Sequence, residues 1–375
     1  MKYYIIAGEA SGDLHGSNLM KELKKKDPAA EFRFWGGDLM LAQGGTLVKH
    51  YRELAFMGFS EVLMNLRTIL GNIKFCKKDI EAWQPDAVIL IDYPGFNLRI
   101  AEFVKQQHIK VYYYISPQIW AWKTGRVHKI KKFVDRMFVI LPFEKEFYGR
   151  YDFEVDFPGH PLLDALKELP ETNLQQFRQE NGLDERKIIA LLPGSRKQEI
   201  KVKLPIMESV MKYFPDYQFV VGGAPSLDSA FYREAGGKEL KIVFGKTYDL
   251  IRNAEAALVT SGTATLETAL LNTPEVVCYK GSRISYEIGK RLVKFVKYIS
   301  LVNLIMDREV VKELIQSELN AQNLKTELEK ILKEPDRTRI LTEYAELRKK
   351  LGGPGASERT ADYIHTDLKS SLKKN

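Results

Sequence analysis

Five short runs in this sequence carry the residue types that hold anions or move protons. Gly8-Glu9-Ala10-Ser11-Gly12-Asp13-Leu14-His15-Gly16 joins glycines, which permit a tight turn and close ligand approach, to an acid, a hydroxyl and a histidine. It is not GxGxxG, and no lysine follows as a P-loop requires. An ordinary strand-to-helix turn is its other reading. Pro193-Gly194-Ser195-Arg196-Lys197 would open a helix whose free N–H groups, with Arg196 beside them, make a diphosphate site. Thr260-Ser261-Gly262-Thr263-Ala264-Thr265-Leu266-Glu267 is similar, with hydroxyls and amides to cap an anion and Glu267 one helical turn further in, where ribose hydroxyls could donate to it. Plain N-capping explains either run alone; the two together favour a nucleotide diphosphate. Gly245-Lys246-Thr247 imitates a Walker ending, but Leu240 stands where the first glycine belongs.

Two further runs lie in the first half. In Ile91-Asp92-Tyr93-Pro94-Gly95-Phe96-Asn97, Asp92 ends an apolar stretch, where burial would lift its pKa toward that of a general base. Capping of a helix that starts near Asn97 is the alternative role. Ser116-Pro117-Gln118-Ile119-Trp120-Ala121-Trp122-Lys123 sets two tryptophans beside a basic stretch, for core packing or for a sugar or phosphorylated amphiphile. The histidines form no metal pattern. His15 alone falls in a ligand-type loop, and His160 in Pro158-Gly159-His160-Pro161 reads as part of a hinge.

These runs need a scaffold that presents loops at one edge, and the periodicity supplies one. Tyr3–Ala7, Phe32–Trp35, Ala87–Ile91, Val111–Ile115 and Met137–Leu141 are short branched or aromatic runs that predict buried strands. Helical patterns fall between them at about 14–25, 59–82, 97–107 and 124–133. The second half repeats the grammar, with strands at Ile188–Leu192, Phe219–Val221, Lys241–Phe244, Ala257–Val259 and Val276–Tyr279 and helices at about 198–213, 247–253 and 263–271. Strands alternating with helices predict parallel sheets, and ligands in such sheets sit at the strands' carboxyl ends. The expected architecture is α/β, two facing doubly wound Rossmann-like domains with a cleft between them. The expected spans are 1–165, 166–335 and C-terminal helices over 336–375 packing back on the first domain.

A chain of 375 residues suits two domains, and 45% hydrophobic with 28% charged residues excludes a largely disordered one. No apolar run approaches the roughly 20 residues of a membrane span, and the N-terminal apolar stretch is too short for a signal peptide. Cys76 and Cys278 lie far apart without metal-type neighbours, so a reducing cytoplasm is expected. The net charge of +8 is local: Lys123 to Arg136 and Lys280 to Lys297 each hold six basic residues and one acid. Such stretches suit phosphate, nucleic acid or an anionic membrane, or are solvated helix faces. Phe59, Val62, Leu63, Leu66, Leu70 and Ile73 form a helical stripe, widened by Met57, Met64 and Ile69 and flanked by Arg67, Lys74, Lys77 and Lys78. It reads as a core helix or as an interfacial helix meeting lipid.

Ala7–Asp13, Met57-Gly58-Phe59-Ser60-Glu61-Val62-Leu63, Ser116–Trp122, Leu191–Arg196 and Ser261–Glu267 together resemble the lipid A disaccharide synthase family, in family order, from residue 3 to about 316. The resemblance implies the GT-B glycosyltransferase architecture. It implies transfer of 2,3-diacylglucosamine from its UDP derivative to the 6-hydroxyl of 2,3-diacylglucosamine 1-phosphate, with inversion, giving a β-1,6-linked disaccharide and UDP. By position, Asp92 matches the family's catalytic aspartate and Arg196 its essential arginine. Ser195, Ser261, Gly262, Thr263, Glu267 and Asn303 match the nucleotide side, and Glu9, Ser11 and His15 face it from the first domain. Gly95 stands where many members carry a second aspartate. The run Arg308–Gln316 also matches, without an assigned role. The likeness implies no cofactor and no metal, no nucleic acid partner, and a cytoplasmic enzyme held peripherally on the anionic inner membrane by Phe59, Val62, Leu63, Leu66 and Leu70; a homo-oligomer is compatible with it. Rivals are another UDP-sugar enzyme of the same architecture, a peptidoglycan-precursor-type transferase or an epimerase, and a non-catalytic nucleotide-sensing binder at a membrane surface.

Overall fold

The computed structural model describes residues 1–54, 66–122, 124–237, 240–281 and 297–372. The chain forms two compact units, residues 1–168 with 351–375, and residues 169–350. The first crossing falls within a few residues of the expected boundary. The second does not: the helix Asp336–Lys350 belongs to the second unit, where Ile340, Tyr344 and Leu347 are buried, and only the chain beyond it returns to the first.

In the first unit the described strands are β1 (Lys2–Ala7), β2 (Glu31–Gly36), β3 (Thr46–His50), β4 (Ala87–Ile91), β5 (Lys110–Tyr114) and β6 (Arg136–Phe138), in the order β3-β2-β1-β4-β5-β6. Every pairing among them is parallel. Both faces are covered, which is why β4, and β1 after Lys2, are buried throughout rather than alternating. On one face Tyr4, Ile6, Val88 and Leu90 pack with Ile73, Cys76 and Ile80 of the helix Leu66–Trp83. On the other, Tyr3, Ile5, Ile89 and Tyr112 meet Leu19 and Leu23 of the helix Ala10–Lys26 and Ala361, Ile364 and Leu368 of the final helix, Ala356–Leu372. That final helix is pinned by the Asp164 carboxylate, which accepts from Ala356 and Ser357 N–H, and by Asp367, which accepts from the Tyr112 hydroxyl at 2.6 Å.

The second unit repeats the plan with β7 (Lys187–Leu192), β8 (Tyr217–Gly223), β9 (Lys241–Phe244), β10 (Ala254–Thr260), β11 (Glu275–Tyr279) and β12 (Lys312–Ile315), ordered β12-β11-β10-β7-β8-β9 and again all parallel. In each sheet the order reverses between a unit's first and fourth strands. The carboxyl ends of β1 and β4, and of β7 and β10, are therefore the places where a crevice opens for a ligand. Pattern reading omits β3 and β12, and both lie at sheet edges. Their sequences, Thr-Leu-Val-Lys-His and Lys-Glu-Leu-Ile, carry the charges that edge strands tolerate, so they lack an apolar signature.

Candidate active site

Register brings the first unit's candidate residues together. Ala7 pairs with Ile91, so the chain leaves β1 at Gly8-Glu9 beside the place where it leaves β4 at Asp92. Asp92 and Tyr93 both adopt the left-handed conformation, φ 43° and 47°, which non-glycine residues enter at a cost. The surroundings enforce it. The Asp92 carbonyl accepts from the Tyr113 hydroxyl at 2.6 Å and from the Asn97 side chain at 2.8 Å. The Tyr93 ring lies over Gly8, where any Cβ would stand 2.5 Å from the ring. Gly8 is thus the space that Tyr93 fills.

The Asp92 carboxyl is half-buried, and burial lifts its pKa to about 6; the negative charge of Glu9 adds to the rise, and the Tyr93 N–H opposes it. A carboxylate in that range accepts a proton from a hydroxyl far better than one near 4. Asn97, the residue expected to start a helix, instead lies inside Pro94–Gln106 and secures the turn from beneath. A Cβ at Gly95 would meet open space, so local packing does not demand glycine there.

The other first-unit candidates divide. Glu9 caps the helix Ala10–Lys26 by its backbone, and Ser11 is exposed on its first turn. His15, one turn on, is held neutral: burial lowers its pKa to about 4 against the opposing charge of Asp164, and its Nδ1 finds no hydrogen-bond partner among the described residues. His160 is buried and lowered further, to about 3, by burial and then by His15; its Nδ1 accepts from Leu162 N–H. Asp13 is a scaffold acid that accepts from Gly37 N–H at 2.7 Å and Met40 N–H at 3.1 Å. The Ser116 turn is likewise built on an acid that pattern reading misses. Glu144, fully buried, accepts from the Ser116 hydroxyl and from Leu141 N–H at 2.9 Å, and its pKa is raised to about 7 by burial. Trp120 packs edge-on to Phe143, with ring centres 4.9 Å apart.

The second unit's switch point is equipped differently. Val259 pairs with Leu192, which places the turns after β7 and β10 side by side, and the buried Thr260 hydroxyl donates to the Pro193 carbonyl at 3.1 Å to tie them. Gly194 (φ 109°) and Gly262 (φ 150°) take conformations that other residues resist, and each precedes a helix start. The first-turn N–H groups of Lys197–Glu208 and Thr263–Leu270 lack partners inside their helices, and each terminus carries roughly half a positive charge. Arg196 caps the first of these helices with its side chain 74% exposed, 3.4 Å from Glu199. Glu199 in turn lies 3.5 Å from the ammonium of Lys203, which is buried and whose pKa is lowered by that burial. Ser195 and Thr263 are exposed at the two turns. Glu267 accepts from the Tyr248 hydroxyl at 2.9 Å, and burial raises its pKa.

Comparison with known proteins fits this arrangement. Residues 3–365 match the family described as lipid-A-disaccharide synthetase. The chain belongs to that family. A relative from Syntrophus aciditrophicus (strain SB), a lipid-A-disaccharide synthase, is 42% identical over 376 residues, covering 98% of each chain. Among solved structures, the UDP-GlcNAc 2-epimerase from Neisseria meningitidis bound to UDP-GlcNAc matches with a TM-score of 0.67 at 15% identity, covering 100% of both chains. The calicheamicin glycosyltransferase matches with a TM-score of 0.61 at 12% identity, covering 99% of this chain and 98% of its own. At such identities the structural likeness speaks for the two-domain GT-B fold alone. The synthase family match spans the described turns of both units.

One part of the expected site comes out differently. Asn303 is fully buried and its amide is spent within the chain: Nδ2 donates to Val311 O (2.8 Å) and Glu313 Oε1 (2.9 Å), and Oδ1 accepts from Val310 N–H (2.8 Å) and Val311 N–H (3.0 Å). No hydrogen-bonding group of its side chain remains to hold UDP. Of the lipid-facing stripe, Phe59, Val62 and Leu63 lie outside the described residues, as does the side chain of Leu66. Leu70 is 52% exposed and Phe75 48%, while Ile73 is buried, so one helix serves both the core and an exposed apolar face. Among the described residues, no helix is long and apolar enough to cross a membrane. Of the first basic stretch, Lys129, Lys131 and Lys132 are exposed and Arg136 is paired with Asp156. Most of the second stretch, residues 282–296, lies outside the described residues.

Proposed function

We propose that this chain is the glycosyltransferase that joins the two acylated glucosamines of lipid A, moving 2,3-diacylglucosamine from UDP to the 6-hydroxyl of 2,3-diacylglucosamine 1-phosphate. The family match over residues 3–365 supports the reaction. The division of labour rests on the site. The second unit holds the UDP moiety, its diphosphate on the amides of the Gly194–Lys197 and Gly262–Ala264 turns and on Arg196. Glu267 receives ribose hydroxyls. Preorganised donors of this kind stabilise the charge that gathers on the leaving diphosphate, each contributing about 2.7–4 kcal/mol in comparable anion sites. Arg196 exchanges its exposed contact with Glu199 for the phosphate, and Lys203 remains as the counter-charge of Glu199. In the first unit, Asp92 takes the proton of the attacking 6-hydroxyl, its pKa near 6 leaving it ionised at neutral pH yet basic enough to act. The sugar–UDP bond breaks as the new glycosidic bond forms, with inversion.

The donor set needs no metal in this scheme, and a chelator should leave the rate unchanged. The exposed Leu70 and Phe75, with the cations around them, give the acylated substrates an apolar approach from an anionic membrane on its cytoplasmic side. Mass spectrometry of the lipid product, after incubation with both diacylated sugars, tests the reading. A disaccharide 1-phosphate with stoichiometric UDP is expected. Consumption of the UDP-sugar without need of the lipid acceptor would overturn it.

A further inference from the structure

The nucleotide turn of the second unit does not stand alone. The Ser261 hydroxyl donates to the Ile299 carbonyl at 3.0 Å, so its proton is committed to the chain segment that begins at Ile299. That segment is held by one carboxylate. Glu313 accepts from Ile299 N–H (3.0 Å), Ser300 N–H (2.9 Å), the Ser300 hydroxyl (2.8 Å) and the Asn303 amide (2.9 Å). Asn303 closes the ring by gripping Val310 and Val311, the residues that lead into β12. Ser300 and Asn303 are fully buried and Glu313 is 7% exposed. Within Arg308–Gln316, a run matched to the family without a role, Glu313 is therefore the hub.

We infer that Glu313 is a positioning residue for UDP, acting through Ser300 and Ile299 on the Ser261-Gly262-Thr263 turn. It touches no substrate. Its carboxyl oxygens hold the Ile299 and Ser300 N–H groups and so fix the Ile299 carbonyl between them, the carbonyl fixes Ser261, and Ser261 fixes the direction in which the following amides point. The tether also explains why an edge strand keeps an inward acid: without Glu313, the half-buried Ile299 N–H and the buried Ser300 N–H would go unpaired. The inference rests on the reading of this turn as the nucleotide site.

Calorimetric titration of UDP into the full chain, with initial rates at varied UDP-sugar, tests it. Gly262→Ala probes the underlying reading, because a side chain at φ 150° must distort the turn. It is expected to weaken UDP binding at least about tenfold, and unchanged binding would remove the turn from the nucleotide site and the inference with it. Glu313→Gln replaces an acceptor oxygen by a donor at constant size. It is expected to raise the Kd for UDP and the KM for the UDP-sugar about tenfold while kcat stays within about twofold, and Glu313→Asp should recover part of the loss. A role in stability alone would lower Tm and leave the Kd of the folded protein unchanged, and that result overturns the inference. Should Glu313→Gln fail to fold, Ser300→Ala and Ser261→Ala carry the test. Each is expected to weaken UDP about threefold or more, and the double variant no more than the worse single one, because both cut the same tether. Additive losses would overturn it.

Discussion

The two units share one strand order and one reversal point, yet their turns there are built from opposite materials. In the first unit the turns carry acids, Glu9 and Asp92, the latter followed by a tyrosine that shares its left-handed conformation, and burial with the charge of Glu9 lifts Asp92 to about 6. In the second the turns carry glycines, small hydroxyls and helix starts, with Arg196 above and the buried Lys203 below. On the proposed function, identical backbone logic presents a base in one unit and an anion cradle in the other. The scaffold decides where chemistry happens; a few residues past each strand decide its sign.

The contrast predicts crossed phenotypes. Asp92→Asn removes the base and should lower kcat by about 10²–10⁴-fold, with UDP binding intact. Arg196→Ala removes a donor to the developing phosphate charge, so kcat should fall about 10²–10³-fold with a parallel loss of UDP affinity. Circular dichroism and Tm should be unchanged in both, since neither side chain anchors the core. Single-turnover kinetics with calorimetry separates the two effects. Loss of UDP binding in Asp92→Asn, or its retention in Arg196→Ala, would break the assignment of one task to each unit.

A smaller effect follows from how the first unit tunes its base. A base at Asp92 must work deprotonated, so kcat/KM should fall about tenfold per unit as pH drops below 6 and level off above it. The charge of Glu9 contributes to the raised value; removing it in Glu9→Gln lowers the pKa, and the acid limb must move to lower pH. A limb that stays in place, or moves the other way, would mean that another group titrates.

Much of this contrast is legible in the amino-acid sequence, for a physical reason. Turns at parallel-strand ends are local: Pro193-Gly194-Ser195-Arg196 and Thr260-Ser261-Gly262-Thr263 need glycine and small residues for steric reasons that a few consecutive letters reveal. Asp92 stands out because it is an acid closing the apolar run Ala87–Ile91, although the letters alone read equally well as a helix cap. What consecutive letters do not disclose is long-range. Glu144 meets Ser116, and Glu313 meets Ser300, only after the sheets have formed. Family position assigns Asn303 to the nucleotide, yet its four hydrogen-bond sites are filled by Val310, Val311 and Glu313. The edge strands β3 and β12 hide for a related cause, since charge at an edge mimics a loop.

The mildest test compares one buried hydroxyl that steadies a turn in each unit. Tyr113 donates to the Asp92 carbonyl at 2.6 Å in the first unit, and Thr260 to the Pro193 carbonyl at 3.1 Å in the second. Tyr113→Phe and Thr260→Val each delete one bond, worth about 0.5–1.5 kcal/mol, and for units of this size that corresponds to a Tm lower by roughly 1–6 °C. Their kinetic signatures should nevertheless differ. Loosening the Asp92 turn misplaces a base used only in the chemical step, so Tyr113→Phe should lower kcat several-fold at constant KM. Loosening the Pro193 turn misplaces donors that grip UDP throughout, so Thr260→Val should raise the KM for the UDP-sugar with kcat nearly kept. If both variants shift the same parameter, the units share one task and the comparison fails at its root.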